Sequence, residues 1–147
     1  MFSQIKNPQF IIISLVPYDE DRAITRAHAD EVESLVKTFG GIVYANISQN
    51  AARADGATYI GTGKAHQLAD QAVADEIDVV VVNDNIRSSQ LYALKSIFEQ
   101  KKPDIQIWDR TDLILQIFKK HASTAEAKLQ IQLADVRHKG SETREIN

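Results

Sequence analysis

Tyr59-Ile60-Gly61-Thr62-Gly63-Lys64 is the stretch of this sequence with the clearest capacity for chemistry. Two glycines and a lysine opening a helix can set backbone N–H groups and an ammonium around a phosphate. The stretch is not a P-loop. Thr58 stands where the first glycine is required, and Ala65 replaces the Ser/Thr that would hold magnesium. Nor is it a dinucleotide fingerprint, since Gln67 and Leu68 follow where a further glycine belongs. Gly61, Gly63 and Lys64 are therefore candidates for contact with a phosphate, a nucleotide or an RNA backbone. The plain alternative is a glycine-shaped turn into a helix. No Walker A sequence occurs elsewhere, so no motif supports nucleotide hydrolysis by this chain and no catalytic residue is assigned.

Two further strings sit where strands should end. Asn83-Asp84-Asn85 could face a ligand at the carboxyl edge of a sheet, or simply form a turn before a helix capped by Ser88. In Asp109-Arg110-Thr111, Asp109 suits a helix N-cap, and Arg110 could pair with a carboxylate or grip a phosphate. His28, His66, His121 and His138 lack an i, i+4 partner and clustered carboxylates in the sequence, so no metal site is expected. No serine or threonine has a nucleophile-elbow context. Lys119, Lys120, Lys128 and Arg137 lie in the most basic region and are candidates for RNA phosphate contact, with a solvated helix face as the alternative. Trp108 and Phe118 have apolar neighbours and are expected in the core.

The elements that must position these residues follow from periodicity. Phe10 to Val16, Ile42 to Ile47, Asp78 to Val82 and Ile105 to Trp108 are short apolar runs suited to strands covered on both faces. Between them lie helical stripes: Val32, Leu35, Val36 and Phe39; Leu68, Ala72 and Val73; Leu91, Leu94, Ile97 and Phe98. The alternation predicts an α/β fold, a four-stranded and mostly parallel sheet of order 2-1-3-4 with helices on both faces. Gly40-Gly41 is a helix stop, and the polar stretch from Gln49 to Thr58 is expected to be a mobile loop.

A C-terminal helical extension follows, with helices over 112–118 and 124–138 and capping-box spacing at Ser123-Thr124-Ala125-Glu126. Lys139-Gly140-Ser141 is expected to break the second helix. The division expected is an α/β domain over 1–118, the start of a helical subdomain over 119–138, and a disordered tail over 139–147.

At 147 residues, 44% hydrophobic and 25% charged, the chain suits one compact domain. Without cysteine it has no disulfide framework and no thiolate metal site. The start lacks a secretory h-region, and no apolar run approaches the ~20 residues of a membrane helix, which predicts a soluble cytoplasmic protein. The net charge is −3, but residues 101–147 carry nine Lys/Arg against seven Asp/Glu, and residues 1–100 eight against thirteen. That asymmetry is compatible with a basic end meeting an anionic partner.

In this order, Tyr59 to Lys64, Asn83-Asp84 with Ser89-Gln90, Asp109 to Leu115, Ile117-Phe118, His121-Ala122 and Thr124 to Ala134 resemble the amino-terminal domain of the HflX family. Each string is weak alone. The stretch from Asp109 to Ala134 is specific, and the set covers roughly residues 10–138. The resemblance implies an α/β domain followed by a helical hairpin and a GTP-binding domain. It implies binding to the large ribosomal subunit and its rRNA, and a link to separating stalled ribosomes under stress. It makes Gly61, Gly63, Lys64 and Arg110 candidates for nucleotide or RNA contact, with ATP binding a further implication, and Lys119, Lys120 and Lys128 candidates for rRNA contact.

The family pattern should return along a second helix after Val136, and here neither that helix nor any GTP-binding motif occurs. The chain is expected to be either a domain cut from a longer gene product or a natural short relative. No cofactor is expected in it; GTP and magnesium would belong to the GTPase domain. Leu129, Leu133 and Val136 would then lack the helix that covers them, and are expected to pair with a second copy, as a homodimer through helix 124–138, or to pack back on the sheet. Three functions follow: a non-catalytic ribosome- or RNA-binding module, an ATP- or other nucleotide-binding domain, or a regulatory dimerisation domain.

Overall fold

The computed structural model describes Phe2 and residues 5–146, with side chains as far as His138. Its elements run β1 (Gln9–Val16), α1 (Arg22–Phe39), β2 (Ile42–Asn50), α2 (Thr62–Ala74), β3 (Val79–Val82), α3 (Ser88–Lys101), β4 (Gln106–Trp108), α4 (Arg110–His121) and α5 (Ala125–Ile146). The strands form one sheet in the order β2-β1-β3-β4, as the alternation predicts, and every pairing is parallel.

Alternation along β1 divides the core in two. Phe10 and Ile12 point to one face, against Val32, Val36 and Phe39 of α1 and Leu113 and Ile117 of α4. Ile11 and Ile13 point to the other, against Leu68 and Ala72 of α2 and Leu91, Leu94 and Phe98 of α3. All four β1 residues are fully buried, each worth roughly 1.5–3 kcal/mol on transfer from water. Phe10, Phe39 and Trp108 meet edge-on with centroids 5.3–5.9 Å apart, a favourable aromatic geometry.

α1 ends as the glycines predict. Gly40 adopts φ 103°, its N–H reaching Lys37 O while Gly41 N–H reaches Val36 O, the pattern of a Schellman stop. A Cβ at Gly41 would lie 2.4 Å from the Phe10 ring, so that glycine is required by packing.

Several expectations are corrected. Phe118 is 57% exposed, because the inward face of α4 is taken by Leu113 and Ile117; Val73 is also largely exposed. The expected boundary at 118/119 falls inside α4. The cap of α5 is Thr124, whose Oγ1 accepts from Ala127 N, one residue later than the Ser123 spacing suggests. The backbone of α5 continues through Gly140 to Ile146. A glycine inside a helix costs only ~1 kcal/mol, and the sequence after it contains good helix formers. Asn147, the end of the expected tail, lies outside the described residues.

α5 packs against α3 and α4, which flank β4 on opposite faces, so it runs along the β4 side of the sheet. Its half-buried residues are Ala127, Ile131, Ala134, Asp135 and His138, one helical stripe. Leu129, Leu133 and Val136 lie on the opposite side, 53%, 46% and 67% exposed. The helix thus docks through its weaker face and leaves its stronger apolar stripe outward.

Candidate functional site

The carboxyl ends of the strands bring the loops after β2, β3 and β4 to one edge of the sheet, where open parallel sheets commonly bind ligands. The loop after β2 is not the free segment its composition suggests. β2 extends to Asn50, and Asp55 and Tyr59 form an antiparallel bridge. Asp55 caps the turn, accepting from Ala57 N and Thr58 N, and these bonds hold its carboxyl below the usual range. The loop after β3 and the first turn of α3 staple this turn from the other side. Gln90 Nε2 donates to Asp55 O, Arg87 to Gly56 O, and the Tyr59 hydroxyl to Asp84. Burial and the Asp84 carboxylate push the Tyr59 phenol up. Tyr59 itself sits at φ 67°, a left-handed conformation that a bulky residue holds only when its surroundings dictate it.

The predicted ligand residues of this edge have mixed fates. Asn83 donates to Ser14 Oγ, with its Oδ1 buried and without a partner. Arg110 opens α4 and pairs with Glu31 of α1 at 2.6 Å. Thr111 donates to Asn85. α3 starts under Arg87, whose N–H is bonded by Gln90 Oε1, so Ser88 is the first helical residue and not the cap.

Gly61 and Lys64 remain available. Gly61 precedes α2 at φ 94° with no side-chain cap, so the first N–H groups of α2 have no side-chain partner at that position. A Cβ at Gly61 or Gly63 would meet nothing within 4 Å, so packing does not demand glycine at either, and only Gly61 needs its backbone freedom. Beside this helix start lies a hollow of about 380 Å³ lined by Leu15, Gln49, Arg53, Asp55, Tyr59 and Ile60, with Gln49 Oε1 unpartnered.

The predicted RNA-contacting residues divide as well. Lys119 pairs with Asp135 of α5 at 3.5 Å. Lys120 donates to Phe39 O at the end of α1 and lies over the Phe39 ring, where its charge complements the helix terminus. Lys128 and Arg137 are exposed, and their side chains make no hydrogen bond or ion pair among the described residues.

Sequence reasoning missed one constellation. Asp109 caps α4 by accepting from Asp112 N at 2.9 Å, and Asp112 returns the bond to Asp109 N at 3.1 Å. His138 of α5 brings Nε2 to 3.5 Å from Asp109 Oδ1 and 3.4 Å from Asp112 Oδ1. The sequence sets no histidine beside clustered carboxylates, and the fold brings His138 to this pair. Asp109 is 1% exposed and its Oδ2 has no hydrogen-bond partner among the described residues. Burial, then the charge of Asp109, raises the Asp112 carboxyl to about 6. The Asp-x-x-Asp cap spacing is visible in the sequence; the approach of His138 from a distant helix carries no local signal.

Among the described residues no helix is long and apolar enough to cross a membrane. A family model described as GTP-binding GTPase N-terminal matches residues 26–119. The GTPase HflX of Alkalihalophilus pseudofirmus is 37% identical over 108 residues, covering 74% of this chain and 24% of that protein. The GTPase HflX of Lacrimispora saccharolytica is 32% identical over 131 residues, covering 89% of this chain and 29% of its own length. This chain thus spans about a quarter of the relatives it matches. A GTP-binding protein from Sulfolobus solfataricus, solved in complex with GDP, superposes with a TM-score of 0.73 at 20% identity, over 92% of this chain and 39% of that one, and supports the fold alone. The matched span takes in α1 to α4 and the polar edge between them, and this chain belongs to the amino-terminal domain family of HflX-type GTPases.

Proposed function

We propose that this domain is a non-catalytic RNA-binding module of an HflX-type GTP-binding protein, contacting rRNA phosphates of the large ribosomal subunit in the cytoplasm. The observation that carries the reading is the outward side of α5. Lys128 and Arg137 stand there unengaged beside the exposed Leu129, Leu133 and Val136, while Lys119 and Lys120 are spent inside the domain. Phosphate contact needs mobile, solvent-facing cations more than a shaped cavity. In this reading GTP and magnesium belong to the remainder of such proteins, and the domain contributes attachment.

The test is co-sedimentation with purified large ribosomal subunits across a salt series. Pelleting is expected to weaken steeply with salt, by a log–log slope of roughly 0.7–0.9 per phosphate neutralised. Lys128→Glu with Arg137→Glu is expected to abolish it without changing the thermal midpoint. Pelleting that is insensitive to both salt and this double variant would defeat the reading.

A second reading has its own support. The uncapped start of α2, with Lys64 in its first turn, adjoins the hollow beneath Gln49 and Tyr59, a size that suits part of a nucleotide. Saturable ATP binding that Lys64→Ala removes, with subunit binding intact, would favour it.

A further inference from the structure

We propose that Asp109, Asp112 and His138 form a binding site for a divalent transition-metal ion that fastens α5 to the start of α4. Each residue offers one ligand atom, and the three atoms lie within 4.8 Å of one another. The spacing suits a metal better than a hydrogen bond. Nε2 stands 3.5 and 3.4 Å from the two carboxylate oxygens, too long for a good N–H···O contact. A tetrahedral ion with bonds of ~2.1 Å has ligand atoms ~3.4 Å apart, which the two nitrogen–oxygen separations match.

The carboxylates are already oriented. Each spends one oxygen on the other's backbone N–H in the reciprocal cap of α4. Asp112 turns its second oxygen to His138, while the second oxygen of Asp109 is buried with no partner. Two carboxylates, 1% and 6% exposed, therefore share one small space with the imidazole, and the charge of Lys95 reaches Asp112 from α3. A buried oxygen with no donor and two close negative charges is a costly arrangement that a cation relieves. One nitrogen and two oxygens fit Zn²⁺, Co²⁺ or Mn²⁺ better than the all-oxygen preference of Ca²⁺. Three protein ligands leave room for water in the remaining position.

The consequence is structural. Asp109 and Asp112 belong to the core-packed end of β4 and α4, whereas His138 lies far along the one helix that docks through few apolar side chains. An ion bound to all three would hold α5 in the orientation that presents Leu129, Leu133 and Val136 outward.

The full chain, stripped with chelator, would be titrated with Zn²⁺ by calorimetry and with Co²⁺ by visible absorption. One ion per chain is expected, with Co²⁺ bands of low-symmetry coordination and slower hydrogen exchange across α5. His138→Gln and, separately, Asp112→Asn should weaken binding at least tenfold. His138→Gln lies outside the two core clusters, so circular dichroism and the thermal midpoint of the ion-free variant should match the parent. Failure of Zn²⁺, Co²⁺ and Mn²⁺ to bind at millimolar concentration would overturn the proposal, as would binding that both variants retain. Binding that leaves α5 exchange unchanged would overturn the fastening.

Discussion

The α/β body and α5 meet water on opposite terms. In the body, Phe10 to Ile13 are fully buried between two helical layers, and even the polar carboxyl edge is tied up by Tyr59, Gln90 and Arg87. In α5 the stronger apolar stripe faces solvent, and a thinner mixed stripe of Ala127, Ile131, Ala134, Asp135 and His138 faces the domain. The body is a finished object whose stability comes from its own core. α5 leaves its larger apolar side chains uncovered among the described residues, and the function proposed for the domain lies on that helix.

The sharpest test of that contrast is in the body. Phe10→Ala removes the ring shared by Phe39, Trp108 and the close approach of Gly41. A loss of about 3–5 kcal/mol is expected, with a fall in thermal midpoint on the order of 10 °C. The expected trace is one cooperative transition moved down in temperature. A shift below about 1 kcal/mol would mean that the body is not the stable half.

Much of the body is visible in the sequence because its physics is periodic. The Val32-Val36-Phe39 stripe, the continuous apolar run of β1 and the Gly40-Gly41 stop each encode their element locally, and the alternation of strands with helices points to the sheet order. The site is less visible because its geometry is set between distant residues. Nothing near His138 announces Asp109, and nothing in an alanine-rich loop announces the staples to Gln90 and Asp84. Charge was a poor guide for a related reason. Lys119 and Lys120 look free in the sequence, yet each finds an acceptor across the fold, Asp135 and Phe39 O, and Arg110 takes the first of its two expected partners, a carboxylate, from Glu31. Phe118 misleads in the opposite sense, apolar in type and neighbourhood but outside the inward arc of α4.

A middle-sized effect probes the polar edge. Tyr59→Phe deletes the hydroxyl that reaches Asp84 and leaves the ring in place. Because Asp84 is exposed, water replaces the lost donor, and about 1 kcal/mol of stability is expected to go. The larger change should be local. Amides of the loop over 51–60 are expected to exchange faster while those of β1 and β3 do not. Uniformly faster exchange would show that this edge is part of the global unfolding unit and no separate staple.

The smallest expected effect is the most diagnostic of α5. Leu129→Asp with Leu133→Asp places two charges on side chains already about half exposed. If the stripe has no partner within the chain, the unfolding midpoint should stay within about 0.5 kcal/mol of the parent, since surface changes away from packed features rarely do more. Two carboxylates near Lys128 and Arg137 would lower the positive potential there, so subunit pelleting should weaken even though folding does not. Light scattering then separates the causes. A parent that grows in mass with concentration and a variant that does not would show that two copies bury the stripe against each other. A parent that stays monomeric while the variant loses pelleting would leave RNA or ribosomal protein as the surface the stripe meets. A large loss of stability in the double variant would mean that α5 rotates to bury Leu129 and Leu133, and would break the contrast between body and helix from which both outcomes are drawn.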